Sequence, residues 1–189
     1  MFVEKFDRYV CDGEQISCEV DGFTVRAIVC DDCDSGPPWE EEDGHGPVSD
    51  WTSRNKRPGE RTLNQDHGSR RFYDFAEAVK IARADGWGVR DSEGMTKGQI
   101  AAAAAEQDFK AMRGWCTDEW RYVGVRLAVF RAGVPLASYA ASLWGIAANY
   151  PDGDGNAYLT EVANDLLPEA LEVARKQLAK LCDRRESAS

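Results

Sequence analysis

Apolar residues alternate with polar ones in two stretches of the chain and recur at helical spacing in three others. From Glu14 to Cys30, Ile16, Cys18 and Val20 alternate with polar positions, Asp21-Gly22 follows, and Phe23, Val25, Ala27 and Val29 resume the pattern. An Asp-Gly pair between alternating runs signals a hairpin, because a type I′ turn needs positive φ at both central residues. An earlier strand is expected near Phe6–Cys11. In WRYVGVRLAVFR (120–131) the alternation returns, Ala132-Gly133 turns the chain, and SYAASLWGIAANY leads back. A second hairpin over about 120–148 follows.

Helical spacing begins in FYDFAEAVKIARADGWG, where Phe75, Ala78, Val79 and Ala82 share a face, Asp74 suits the N-cap and Gly86 the stop. This predicts a helix over about 74–86. A second, over about 96–115, carries the run Ala101–Ala105, with Ile100, Ala104, Phe109 and Met112 inward. A third, over about 157–182, presents Leu159, Val162, Leu166, Leu171, Ala174, Leu178 and Leu181, with a kink or restart at Pro168. Residues 31–71 lack apolar periodicity and are rich in Gly and Pro, so they read as a long irregular loop pinned by Trp39, Val48, Trp51 and Leu63. Hairpins with helices grouped between them indicate an α+β fold with antiparallel sheet. Composition divides the chain into an acidic hairpin region (1–50), a basic loop (51–71) and an α+β body (72–189), or joins all 189 residues in one domain.

The strings RRFYDFAEAVKIARADGWG, RGWCTDEWRYVGV, ASLWGI and YLTEVANDLLPEA resemble a family of small accessory proteins of bacteriophages and other bacterial mobile elements, over roughly residues 70–175. The resemblance brings no catalytic residues. It implies a bacterial host cell and a setting in which inhibitors of host defence are common. The acidic N-terminal part lies outside it.

Charge sharpens the picture. The net charge is −10, and residues 1–45 alone hold 13 Asp and Glu against three Lys and Arg. Asp31, Asp32, Asp34, Glu40, Glu41, Glu42 and Asp43 crowd 13 residues around Trp39. Their mutual repulsion favours a basic partner, and a surface that normally grips phosphates offers one. The expected function is therefore non-enzymatic. It is an inhibitor that lays this acidic surface on the basic nucleic-acid-binding site of a host complex, such as a CRISPR effector or restriction enzyme. Arg54, Lys56, Arg57, Arg61, Arg70 and Arg71 form a basic stretch that supplies the alternative, direct nucleic-acid binding through phosphates and neighbouring aromatics.

A second alternative is a small metalloprotein or hydrolase. Cys30 and Cys33 have the two-residue gap of paired zinc thiolates, and His45 and His67 would complete four ligands. The gaps of 11 and 21 residues match no common zinc module, so no cofactor is expected. DGDGNAYLTE places Asp152, Asp154, Gly155 and Glu161 at four positions of a calcium loop, but Tyr150 falls where the first ligand belongs. No Gly-x-Ser-x-Gly, phosphate-binding or dinucleotide glycine motif occurs, and a His-based triad would have to use His45 or His67. Charges in MFVEKFDRYV leave no signal-peptide apolar region. The uncharged run Val134–Pro151 alternates as a strand does rather than as a membrane span. A cytoplasmic protein with six reduced cysteines is expected.

Overall fold

The computed structural model describes residues 1–90, 92–151 and 155–186, with side chains through Leu181. Its elements in chain order are β1 (Gln15–Val20), β2 (Phe23–Asp31), α1 (Pro38–Glu41), β3 (Glu60–Asp66), β4 (Ser69–Asp74), α2 (Phe75–Asp85), α3 (Lys97–Cys116), β5 (Arg121–Arg131), β6 (Val134–Ala148) and α4 (Ala157–Glu186). The fold is α+β, with an antiparallel four-stranded sheet in the order β1-β2-β5-β6 and a two-stranded sheet of β3 and β4. The chain divides into two compact units, residues 1–34 with 121–189 and residues 35–120.

In the first unit both expected hairpins form. Asp21 and Gly22 hold φ of 52° and 75°, and Ala132 and Gly133 hold 48° and 76°, the paired positive values that a two-residue turn requires. The expected alternation decides the buried face: Phe23, Val25, Ala27 and Val29 of β2 and Val123, Val125, Leu127 and Val129 of β5 are all buried. Each of the Val, Leu and Phe side chains contributes about 1.5–3 kcal/mol relative to exposure. Helix α4 supplies the other side of this core through Leu159, Ala163, Leu167, Ala170, Leu171 and Ala174. It runs unbroken through Pro168, so the expected restart there is corrected, and Leu181, expected in the stripe, is exposed.

The strand expected near Phe6–Cys11 is also absent. Phe2, Phe6 and Val10 do enter the core, but side chains rather than a strand satisfy their backbone. Asn164 Oδ1 accepts from Phe2 N at 2.8 Å, Thr160 Oγ1 from Phe6 N at 3.2 Å, and Asn149 Oδ1 from Val10 N at 2.9 Å. Buried Asn156 donates to Arg8 O at 2.9 Å and to Asn149 Oδ1 at 2.9 Å while accepting from Asn149 N. These amides do what ladder partners do elsewhere, which leaves the segment irregular.

In the second unit α2 starts on Asp74, whose carboxylate accepts from Glu77 N, and ends on left-handed Gly86. Helix α3 opens with a reciprocal capping box between Thr96 and Gln99. The long irregular loop requires correction: its last part is the β3–β4 hairpin, turning on His67 and Gly68 with φ of 42° and 86°. Only Leu63, Phe72 and Tyr73 of its apolar residues are buried. A bulge between Thr62 and Asn64 breaks the parity, so no alternation was readable. Leu63, Tyr73, Ala78, Ala105, Phe109, Ala111 and Met112 form the core here.

Candidate functional site

The segment 35–52 of the second unit begins with proline chemistry. Extended Pro37 precedes α1, Pro38 occupies its first turn where no N–H is needed, and Glu41 Oε1 folds back to accept from Gly36 N at 2.8 Å. One turn of helix cannot hold itself together, so Trp39 anchors it. The Trp39 indole meets Trp115 of α3 edge-on at 5.3 Å and carries the Arg71 guanidinium 4.9 Å from its centroid. Glu40, Glu41, Glu42 and Asp43 are all exposed around this anchor.

The return of the loop is fixed by Asp108 of α3. Its Oδ1 meets His45 Nδ1 at 2.6 Å, and its Oδ2 accepts from Gly46 N at 2.8 Å and from Tyr73 Oη at 2.5 Å. Gly46 lies so close to the Tyr73 ring and hydroxyl that a Cβ has no room. The hydrogen bond that the ring donates to Asp108 raises the His45 pKa above its ordinary value, against the opposing effect of burial; the charges of Asp108 and Glu42 add to the rise. Burial, reinforced by Asp108, pushes the Tyr73 phenol far up, so it stays a neutral donor. His45 Nε2 is buried without a hydrogen-bond partner. Beyond it, Val48 bridges Tyr73 and Thr52 bridges Arg70, laying 48–52 along β4.

The seven acidic candidates fall in both units. Asp31, at the end of β2, pairs with Arg121 Nε at 2.6 Å. Asp32 accepts from Asp34 N at 3.2 Å and from Gly145 N at 2.9 Å, and Asp34 is exposed. These three belong to the first unit, and Trp39 with Glu40, Glu41, Glu42 and Asp43 to the second.

The basic stretch is largely turned inward. Arg54 grips Glu60 with two hydrogen bonds of 2.7 and 2.6 Å and lies over Phe72, and the same grip holds the Glu60 carboxyl below its ordinary pKa. Arg61 pairs with Glu106 at 2.5 Å and stacks 3.5 Å over Phe75. Arg70 Nε donates to Gln65 Oε1 at 3.0 Å. Arg71 sits between Trp39 and Trp51, near the Cys116 thiol, whose pKa burial raises and this guanidinium opposes. Lys56 and Arg57 are exposed.

The metal candidates are similarly dispersed. Cys30 Sγ takes a hydrogen bond from Arg126 Nε at 3.2 Å, Cys33 is exposed, His45 is committed to Asp108, and His67 lies exposed at a hairpin tip beside Asp66. Among the described residues no three His, Cys, Asp or Glu side chains group to hold an ion. The calcium-like string rests on Asp152 and Asp154, outside the described residues. No helix among the described residues is long and apolar enough to cross a membrane.

Comparisons with protein-family models, with curated proteins and with solved structures found no match.

Sequence reasoning passed over Asp108 and Tyr73. A signal existed: Asp108 stands in phase with Ala101, Ala104, Ala105, Ala111 and Met112, all buried, so a carboxylate occupies the apolar stripe of α3. Such a carboxylate needs donors from elsewhere in the fold. The tandem stacking of Arg71 had no local signature, because its two indoles come from positions 39 and 51.

Proposed function

We propose that this chain is a non-enzymatic binding protein that lays the carboxylates of Glu40, Glu41, Glu42 and Asp43 on a basic, nucleic-acid-binding surface of another protein. The observation carrying this reading is a contrast within one unit. Glu40, Glu41, Glu42 and Asp43 stand exposed on a turn fastened to α3, with Glu41 also accepting from Gly36 N, whereas Arg54, Arg61 and Arg71 are only partly exposed and lie against aromatic rings of their own fold. The surface therefore offered to a partner along 40–43 is negative, and such a surface steers encounter with Lys- and Arg-rich proteins. The resemblance to accessory proteins of bacteriophages and mobile elements adds the setting: the bacterial cytoplasm, with a CRISPR effector or restriction enzyme as the basic partner and inhibition as the outcome.

The test is competition. Added to such a complex with its nucleic acid, the wild type should displace the nucleic acid, and joint replacement of Glu40, Glu41, Glu42 and Asp43 by Lys should abolish displacement. Undiminished displacement by the reversed variant rejects the reading. A gel shift of the wild type with DNA or RNA at low salt, lost at high salt, would instead favour Lys56 and Arg57 as a nucleic-acid surface.

A further inference from the structure

Resting on the acidic docking reading, we propose that Trp51 makes the site selective for arginine over lysine. Its indole stacks on a guanidinium supplied by the basic partner, beside the carboxylates of residues 40–43. Trp51 is 43% exposed, so part of a large aromatic surface is open to a partner. It is also held rigidly. Ser49 N donates to Phe72 O at 2.8 Å, Thr52 N donates to Arg70 O at 2.9 Å, and Arg70 N donates back to Thr52 O at 2.8 Å. The backbone on either side of Trp51 is thus laddered to β4, and little ordering remains to be done on binding.

The ring already shows the chemistry it accepts. Arg71 Cζ lies 5.0 Å from its centroid, and the same guanidinium meets Trp39, the residue that begins the acidic turn. One cation thereby ties the exposed indole to the acidic segment. Arg71 Nε is buried without a hydrogen-bond partner, so aromatic faces have a large part in holding this group. A second guanidinium stacked on the ring face opposite Arg71 would be separated from it by the indole, with salt screening and four carboxylates opposing the repulsion.

The two features divide the recognition. Carboxylates attract ammonium and guanidinium groups both, and a guanidinium fork can also pair with them bidentately. A planar, weakly hydrated guanidinium lies flat on an indole, whereas a strongly hydrated ammonium does so less well. The acids therefore supply attraction with some bias to arginine, and Trp51 adds an increment of choice that its removal takes away.

Nona-arginine and nona-lysine peptides, titrated calorimetrically into the full chain, separate these effects. The wild type should bind nona-arginine about two- to fivefold more tightly, the factor corresponding to one exposed cation–π contact. W51A should shrink that preference by about the same two- to fivefold factor while leaving nona-lysine affinity unchanged, and W51F should retain part of it. Equal affinities in the wild type, or a preference undiminished in W51A, overturn the proposal. If the preference follows Trp51 but reversing residues 40–43 changes neither affinity, the docking reading fails and the stacking role stands. Binding of neither peptide ends both. Unchanged circular dichroism and melting of W51A establish that any loss is not unfolding.

Discussion

Asp108 receives three donors from two segments of one unit: the His45 ring and the Gly46 backbone of the loop, and the Tyr73 hydroxyl of β4. Removing it strands all three, and a stranded buried polar group costs about 1–3 kcal/mol. Asp108→Ala should therefore destabilise the chain by about 2–4 kcal/mol in denaturant titration. The His45 contact also carries a pH signature. Its folded pKa lies above the ordinary 6.5, so the contribution is full below about 6.5 and fades as pH rises through the folded value. His45→Gln should thus lose more stability, relative to the wild type, at about pH 6 than at about pH 8.5. In the Asp108→Ala background that difference should shrink. A His45→Gln effect equal at both pH values would show that the ring does not titrate against Asp108.

At the scale of elements, the two edges of the four-stranded sheet are treated differently. β1 is six residues long, carries Glu19, and has its Ser17 N–H met by the Glu4 carboxylate at 3.4 Å. β6 runs 15 residues without a charged side chain, and Tyr139 and Leu143 are 66% and 48% exposed. Its register shifts against β5 add twist, which blunts an edge, and the charged groups that reach it, Asp32 on Gly145 N and Arg126 on Ser138 O and Tyr139, come from other strands and loops and leave most of its length uncharged. Concentrated solutions should self-associate through this strand. Leu143→Lys should lower the light scattering of concentrated protein without changing the melting temperature by more than a few degrees. Scattering that is unaffected would place the association elsewhere. Periodicity made the two main hairpins and the three long helices legible within a residue or two at their starts, because each buries one regular face. The β3–β4 hairpin was not legible, since a bulge and a mainly polar strand leave no alternation to read.

The whole molecule is built by insertion. β2 leaves the first unit at its Asp31 end and β5 re-enters it, and the two strands pair directly, with Asp31 opposite Val123 and Asp32 N donating to Tyr122 O at 3.1 Å. Replacing residues 35–120 by a short Gly-Ser connection should therefore leave a folded sheet with α4, visible as retained strand and helix circular dichroism and a cooperative melt. A non-cooperative product would show that the first unit depends on the inserted one.

Sequence by itself settled the elements whose partners are near in the chain: Asp-Gly and Ala-Gly turns, the Asp74 and Gly86 caps, the apolar faces of β2, β5 and the long helices, and the concentration of acid in the first quarter. Tertiary structure alone decided how charge is used. Asp31 is neutralised by Arg121, 90 positions away, Arg61 by Glu106, and Arg71 is taken up by Trp39 and Trp51, and the side chains of residues 40–43 are left exposed. The difference is physical. A hydrophobic face advertises itself through spacing, because burial depends on which side of an element a residue occupies. The fate of a charged group depends on which distant group the fold brings within a few ångströms, and spacing carries no record of that.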